Sequence, residues 1–307
     1  MERFKELTMK TFGRVLTAMV TPFDAEGRVD LAQAKRLATH LLDHGSDGIV
    51  VVGTTGESPT LTHDEKLAMF GAVVEAAQGR GSVIAGTGSN DTASTVALSR
   101  EAEALGCDGL LLISPYYNKP NQEGVYRHFR TVAEATRLPV ILYNHPPRTG
   151  VAIAPETLAR LAMVPNIVGL KDSSASLDVA SDFRKVTPES FLLYSGNDSL
   201  TLPMLAIGGH GVISVAAHVV GDELRAMVDA TLRGDWEEAR RIHFRLWDLF
   251  NGLFMAPSPA PVKEALSMTG LPAGGVRLPL VELTADERRR LAGMMRDLGL
   301  AKAHAEV

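Results

Sequence analysis

Eight short runs of Val, Ile, Leu and Ala, each followed by a polar turn and a segment with helical spacing, divide the chain from Val15 to about Ala217. They read VLTAMVTPF, GIVVVGTTGE, SVIAGTGSN, GLLLISPYY, PVILYNHP, IVGLKDSS, FLLYSGND and GVISVAAH. Apolar runs without in/out alternation are what strands buried on both faces require, as in a parallel sheet covered by helices. The segments between carry helix boundaries. Asp30 precedes LAQAKRLATHLLDHG, Thr62 precedes HDEKLAMFGAVVEAA with Glu65 placed for a capping box, and Asn90 precedes DTASTVALSREAEALG; Gly45 and Gly106 stand as stops. Eight such units with right-handed crossovers predict an α/β fold closed into a (β/α)8 or TIM barrel. An open doubly wound sheet would carry G-x-G-x-x-G after its first strand, and GTGSN at Gly86 to Asn90 lacks the third glycine.

The expected barrel spans residues 14–233, followed by a C-terminal helical region over 234–307 packed on it. Its helices lie in DWEEARRIHFRLWDLFNGLF, PAPVKEALSMTG and TADERRRLAGMMRDLG, with breaks at Pro257, Pro259 and Pro261 and at Gly274 and Gly275. Trp236, Trp247, Phe250 and Phe254 supply apolar faces for packing or for an oligomer contact.

Lys and Arg number 31 against 36 Asp and Glu, a formal charge of −5, and the only basic run is Arg288 to Arg290. A nucleic-acid reader needs a concentrated basic face, so that class is excluded. One cysteine, Cys107, excludes an internal disulfide and a Cys-based zinc site and reads as structural. No stretch reaches the roughly 20 apolar residues of a membrane span, and MERFKELTMKTFGR lacks the apolar core of a signal peptide. The expected location is the cytoplasm.

In such a barrel the strand C-termini converge on one mouth, where polar groups become functional candidates. The second run ends GTTGES, where Gly53 and Gly56 let backbone amides turn inward beside Thr54 and Thr55. That turn suits a small carboxylate or phosphate, or serves as a plain connection. Lys171 follows Val168, Gly169 and Leu170 while the strand is still inside the barrel. Burial lowers the pKa of a lysine and frees its amine to attack a carbonyl; a surface position or an ion pair with Asp172 is the competing reading. Tyr143 ends the fifth run and can pass a proton to an imine or carbinolamine, or simply fill the barrel. Arg148 in the same loop offers a planar fork for a carboxylate. Tyr116 and Tyr117 are adjacent, so at most one enters the site of its own chain. His145 is the one histidine near a strand end on that side, whereas metal catalysis needs several ligands; no metal is expected.

These motifs, with GGHGVISV and PAPVKEAL, stand in an order that resembles the pyruvate-dependent class I aldolase superfamily of dihydrodipicolinate synthase and N-acetylneuraminate lyase. GTTGE, the paired tyrosines and RTG are most similar to the dihydrodipicolinate synthase branch. The resemblance implies an imine between Lys171 and pyruvate, with Thr54 and Thr55 on the pyruvate carboxylate and no metal or organic cofactor. It implies a proton relay of Thr54, Tyr143 and Tyr117, the last reaching into a neighbouring subunit of a homotetramer built as a dimer of dimers. Arg148 would bind the carboxylate of aspartate β-semialdehyde, and Gly196, Asn197 and Ile213 would line the site, Ile213 through its carbonyl. Asn197 departs from the aspartate of several synthases.

Some family members are inhibited by lysine at a dimer-interface cleft, and Ser58, His63, Asn90 and Tyr116 fall at its positions. Ser94 stands where lysine-sensitive members carry an acid, and Lys66 where they often carry a histidine or aromatic. Losing a carboxylate and gaining an ammonium weakens binding of a cationic amino acid, so inhibition is expected to be weak or absent. Two other functions remain open: a lyase or aldolase for a 2-keto-3-deoxy sugar acid or sialic acid, and a non-catalytic barrel that binds a keto acid.

Overall fold

The computed structural model describes residues 12–300. The start of the 1–13 segment and the last seven residues of the expected helical region lie outside the described residues.

All eight runs form strands: β1 Val15–Ala18, β2 Gly48–Val51, β3 Ser82–Gly86, β4 Gly109–Ile113, β5 Val140–Asn144, β6 Ile167–Asp172, β7 Leu192–Ser195 and β8 Gly211–Ser214. They pair in parallel in chain order, and β8 returns to β1 to close the barrel. The helices are α1 Leu31–Asp43, α2 His63–Ala77, α3 Thr92–Ala104, α4 Gln122–Glu134, α5 Pro146–Thr149, α6 Pro155–Leu161, α7 Leu177–Val186, α8 Thr201–Ala206, α9 Ala217–Leu232, α10 Trp236–Gly252, α11 Ala260–Thr269 and α12 Ala285–Asp297. None among the described residues is long and apolar enough to cross a membrane.

Strand residues divide between two cores because successive side chains point to opposite faces. Leu16, Ala18, Val50, Ile84, Leu111, Ile141, Tyr143, Leu192, Tyr194 and Ile213 fill the barrel interior. Val15, Ile49, Val83, Leu110, Val140, Leu142 and Leu170 join the helix-facing core. Both strand faces are therefore apolar, which is why the runs lack alternation in sequence.

Local signals fix the helix ends. Asp30 accepts the amide of Gln33 to cap α1, and Thr62 with Glu65 forms the expected capping box of α2, each cap worth about 1 kcal/mol. The cap of α3 is Asp91 rather than Asn90: the Asp91 carboxylate accepts the Ser94 amide at 2.7 Å, and a charged acceptor also complements the positive helix end. Asn90 instead offers its carbonyl to the side-chain amide of Asn118 at 2.8 Å. After α9, α10 and α12 pack on each other and α11 packs on α12 and α9. Phe250 is buried in that core, whereas Trp236, Phe244, Trp247 and Phe254 remain exposed. Cys107 is buried, and desolvation pushes its thiol up to about 12, which makes it inert.

Candidate active site

The turn after β2 enters through Val52, whose φ of 58° is unusual for a β-branched side chain. The strain turns the main chain sharply into Gly53, so that Thr54 faces the barrel mouth while Thr55 is buried. The Gly53 carbonyl accepts the Gly56 amide at 3.0 Å, and the Thr54 carbonyl accepts the Glu57 amide at 3.1 Å. From β1's side, the Thr21 hydroxyl donates to the Gly56 carbonyl at 2.6 Å. The GTTGES turn is thus fixed by its own hydrogen bonds and by a neighbour.

A cavity of about 220 Å³ opens at the strand C-termini, walled among others by Thr54, Ser58, Tyr116, Tyr143 and Arg148. Arg148 sits in the short helix α5 beyond β5, exposed at the mouth. Lys171 does not wall this cavity. It lies behind Tyr143, with its Nζ 4.4 Å from the centre of the phenol ring that does.

A register shift brings those two residues level. Val140 pairs with Ile167 but Ile141 pairs with Gly169, so β6 carries one extra residue and Tyr143 comes opposite Lys171. Lys171 is 5% exposed. Burial lowers its pKa to about 8, with Asp198 opposing the fall and Arg148 assisting it. Asp172 does not hold the ammonium: its carboxylate accepts from Asn144 Nδ2 at 2.8 Å and from the Ser174 hydroxyl at 2.6 Å. The reading of Lys171 as a surface lysine or a partner of Asp172 therefore fails. Burial raises the Tyr143 pKa, against the pull of Ser173, Arg148 and Thr54 close by. Tyr143 is a neutral phenol able to give a proton at neutral pH.

Gly196 is required by close approach. A Cβ there would lie 1.9 Å from Ser173 Oγ and 3.0 Å from Lys171 Cε, so a side chain would force Ser173 aside and crowd the lysine. The buried Asn197 Oδ1, next in the chain to Gly196, has no hydrogen-bond partner among the described residues, which leaves a polar atom open to a ligand, whereas Ser173 faces the Tyr143 phenol. Ile213 is buried on β8 in the barrel interior. His145 packs edge-on against Tyr143 with ring centres 5.7 Å apart. Burial, with Arg148 and Lys171 nearby, lowers its pKa to about 4.

Tyr117 points away from its own site. It is 87% exposed at a φ of 70°, whereas Tyr116 walls the cavity. Of the cleft residues, Ser58 shares that wall, but His63 pairs with Glu101 at 3.1 Å on the outer surface. Sequence reasoning passed over Asp198 and Ser173. Asp198 is fully buried and accepts from the Ser214 hydroxyl and, at 3.1 Å each, from the amides of Val215 and Ala216. The available signals were an acid directly after Asn197 in SGND and a serine two residues after Lys171 in LKDSS. Among the described residues no group of three or more His, Cys, Asp or Glu side chains is arranged to hold a metal ion.

A model of the dihydrodipicolinate synthetase family matches residues 11–298. The chain belongs to that family. It is 56% identical over 289 residues to the 4-hydroxy-tetrahydrodipicolinate synthase of Moorella thermoacetica, covering 94% of this chain and 99% of the relative. Among solved structures, the dihydrodipicolinate synthase of Bacillus anthracis superposes with a TM-score of 0.92 at 48% identity, covering 94% of this chain and 99% of the other. The enzyme from Cyanidioschyzon merolae, solved with lysine bound, gives 0.93 at 48% identity, again covering 94% and 99%. These solved relatives share the closed barrel architecture of this chain.

Proposed function

We propose that the protein is a 4-hydroxy-tetrahydrodipicolinate synthase, a lyase of class I aldolase type acting in lysine and diaminopimelate biosynthesis. The single observation that carries this is the buried Lys171, its Nζ against the ring of Tyr143, which itself walls a cavity shared with Thr54 and with Arg148 at its mouth.

The neutral Lys171 amine attacks the pyruvate ketone, and loss of water leaves an imine. Thr54, Tyr143 and a Tyr117 from a neighbouring subunit pass the protons. Thr54 and Thr55 hold the pyruvate carboxylate, with Gly196, Asn197 and the Ile213 carbonyl shaping the pocket around the imine. Loss of a methyl proton gives an enamine, which forms a carbon–carbon bond to the aldehyde of L-aspartate 4-semialdehyde as the aldehyde oxygen takes a proton. Arg148 binds the semialdehyde carboxylate in a bidentate fork. The substrate's amino group then attacks the imine carbon, and transimination releases the cyclic product and returns Lys171 as the amine. The imine is itself the electron sink, so the chemistry calls for no metal or organic cofactor.

A shared Tyr117 makes the working unit a dimer at least, and the homotetramer, a dimer of dimers in the cytoplasm, is the assembly we assign. Weak or absent inhibition by lysine is part of the same reading, because Ser94 and Lys66 remove the charge that the cleft of Ser58, His63, Asn90 and Tyr116 would need. Half-inhibition in lysine on the order of micromolar would contradict it.

The test is the initial rate of pyruvate consumption with aspartate semialdehyde, beside other short aldehydes and a sugar aldehyde. Turnover restricted to the semialdehyde is expected. Turnover only with a sugar aldehyde would move the protein to the keto-sugar or sialic acid lyases, and no turnover with any aldehyde would leave a binding barrel.

A further inference from the structure

A buried ion pair outside the substrate cavity ties the Thr54 turn to the C-terminal helices. Glu57, a non-glycine residue held at a φ of 55°, donates its amide to the Thr54 carbonyl. Its side chain is 1% exposed and that of Lys263, in α11, 2% exposed. Lys263 Nζ donates to Glu57 Oε1 at 2.7 Å and to the Gly275 carbonyl at 2.7 Å, and lies 4.1 Å from the Phe23 ring centre. The second carboxylate oxygen accepts the Arg277 amide at 2.9 Å. The Arg277 guanidinium then grips the far end of the turn, donating to the Thr60 carbonyl at 2.8 Å and pairing with both oxygens of Glu65.

A buried ion pair contributes little net stability, since desolvation offsets the attraction, and an apolar pair of similar volume is often no less stable. What such a pair does fix is geometry. Glu57 is three residues from Thr54 and two from Thr55, and its own amide closes the turn that presents them. We propose that Glu57 and Lys263, with the main chain at Gly275 and Arg277, form a latch through which the C-terminal region positions Thr54 and Thr55 and thereby sets affinity for pyruvate. The latch rests on the reading of those threonines as the pyruvate carboxylate site. Glu57 and Lys263 are positioning residues that touch no substrate.

The test uses the full chain with Lys263→Met and with Glu57→Gln/Lys263→Met, the second leaving no unpaired buried charge. In both, the KM for pyruvate is expected to rise on the order of tenfold with the KM for the semialdehyde within about twofold, because Arg148 stands on a different loop. Unchanged KM values, or losses that merely follow the folded fraction, overturn the latch. A second arm needs no variant. Binding at one site and ordering at the other are reciprocal, so saturating pyruvate is expected to slow hydrogen exchange at the Arg277 amide several-fold; unchanged exchange overturns the latch even if neither variant folds. A wild-type chain that traps no pyruvate on Lys171 overturns the pyruvate reading and the latch together. A chain that traps and turns over normally, with variants that keep their pyruvate KM, overturns the latch alone.

Discussion

Tyr143 and Lys171 are register partners on adjacent strands β5 and β6, and the lysine Nζ lies 4.4 Å from the centre of the tyrosine ring. The pairing removes the amine from water, puts a neutral phenol beside it and leaves Asp198, the acid that opposes the fall in its pKa, occupied by Ser214 and two backbone amides. A lysine so placed is partly free amine near neutrality.

Imine formation therefore depends on pH. The nucleophile is the unprotonated amine, whose fraction rises with pH through about 8. Roughly a tenth of Lys171 is free amine at pH 7, far more than for a lysine at its ordinary value. The rate of borohydride-trappable adduct formation at limiting pyruvate is expected to climb through that range and level off above it. A rise still near tenfold per unit between about pH 8 and 9 would show that the pKa is not lowered.

Burying this ammonium costs stability. The folded pKa, about 8, lies below the unfolded value of 10.5, so the cost is fully present below pH 8 and is relieved as pH rises from 8 toward 10.5. Lys171→Met is expected to stabilise the fold by about 1–3 kcal/mol at pH 7, with a shrinking advantage at pH 9–10. Denaturant melts at the two pH values check both the sign and the trend.

Arg148 is exposed at the mouth of the cavity that Thr54 and Tyr143 also wall, and it does not contact Lys171. Arg148→Ala is expected to leave the trapping of pyruvate on Lys171 nearly unchanged while lowering kcat/KM for the semialdehyde about a hundredfold or more, the loss of a bidentate carboxylate contact. Equal loss of trapping and condensation would contradict the role given to it.

Glu65 governs part of the acid limb of stability. The Arg277 guanidinium holds its pKa down at about 2, against an ordinary 4.5. The resulting stabilisation is complete above about 4.5 and is lost as pH falls toward 2. Between pH 5 and 3 the wild type should lose about 1–2 kcal/mol more than Arg277→Ala, after allowance for partial exposure of the pair. Parallel loss in the two proteins, read by urea unfolding, would count against the pairing.

The barrel was legible because apolar strands and capped helices are local signals, and Thr62 with Glu65 appears in the structure as the sequence wrote it. Lys171 was legible for the same reason: a lysine inside an apolar run is anomalous before any neighbour is known. The cap of α3 was misplaced by one residue because Asn90 and Asp91 are both good capping residues and only the backbone path decides between them. Asp198 and the Glu57–Lys263 pair were invisible in their roles, since each depends on contacts across the chain; Glu57 and Lys263 are 206 positions apart. The extra residue in β6 that levels Lys171 with Tyr143 leaves no mark in the apolar pattern at all.

In the proposed mechanism Lys171 is the amine that captures pyruvate. Incubation with pyruvate, reduction with borohydride and peptide mapping by mass spectrometry test it directly. One reduced pyruvate adduct per chain, carried on Lys171, is expected. No adduct, or an adduct on Lys119 or another surface lysine with Lys171 unmodified, would contradict it.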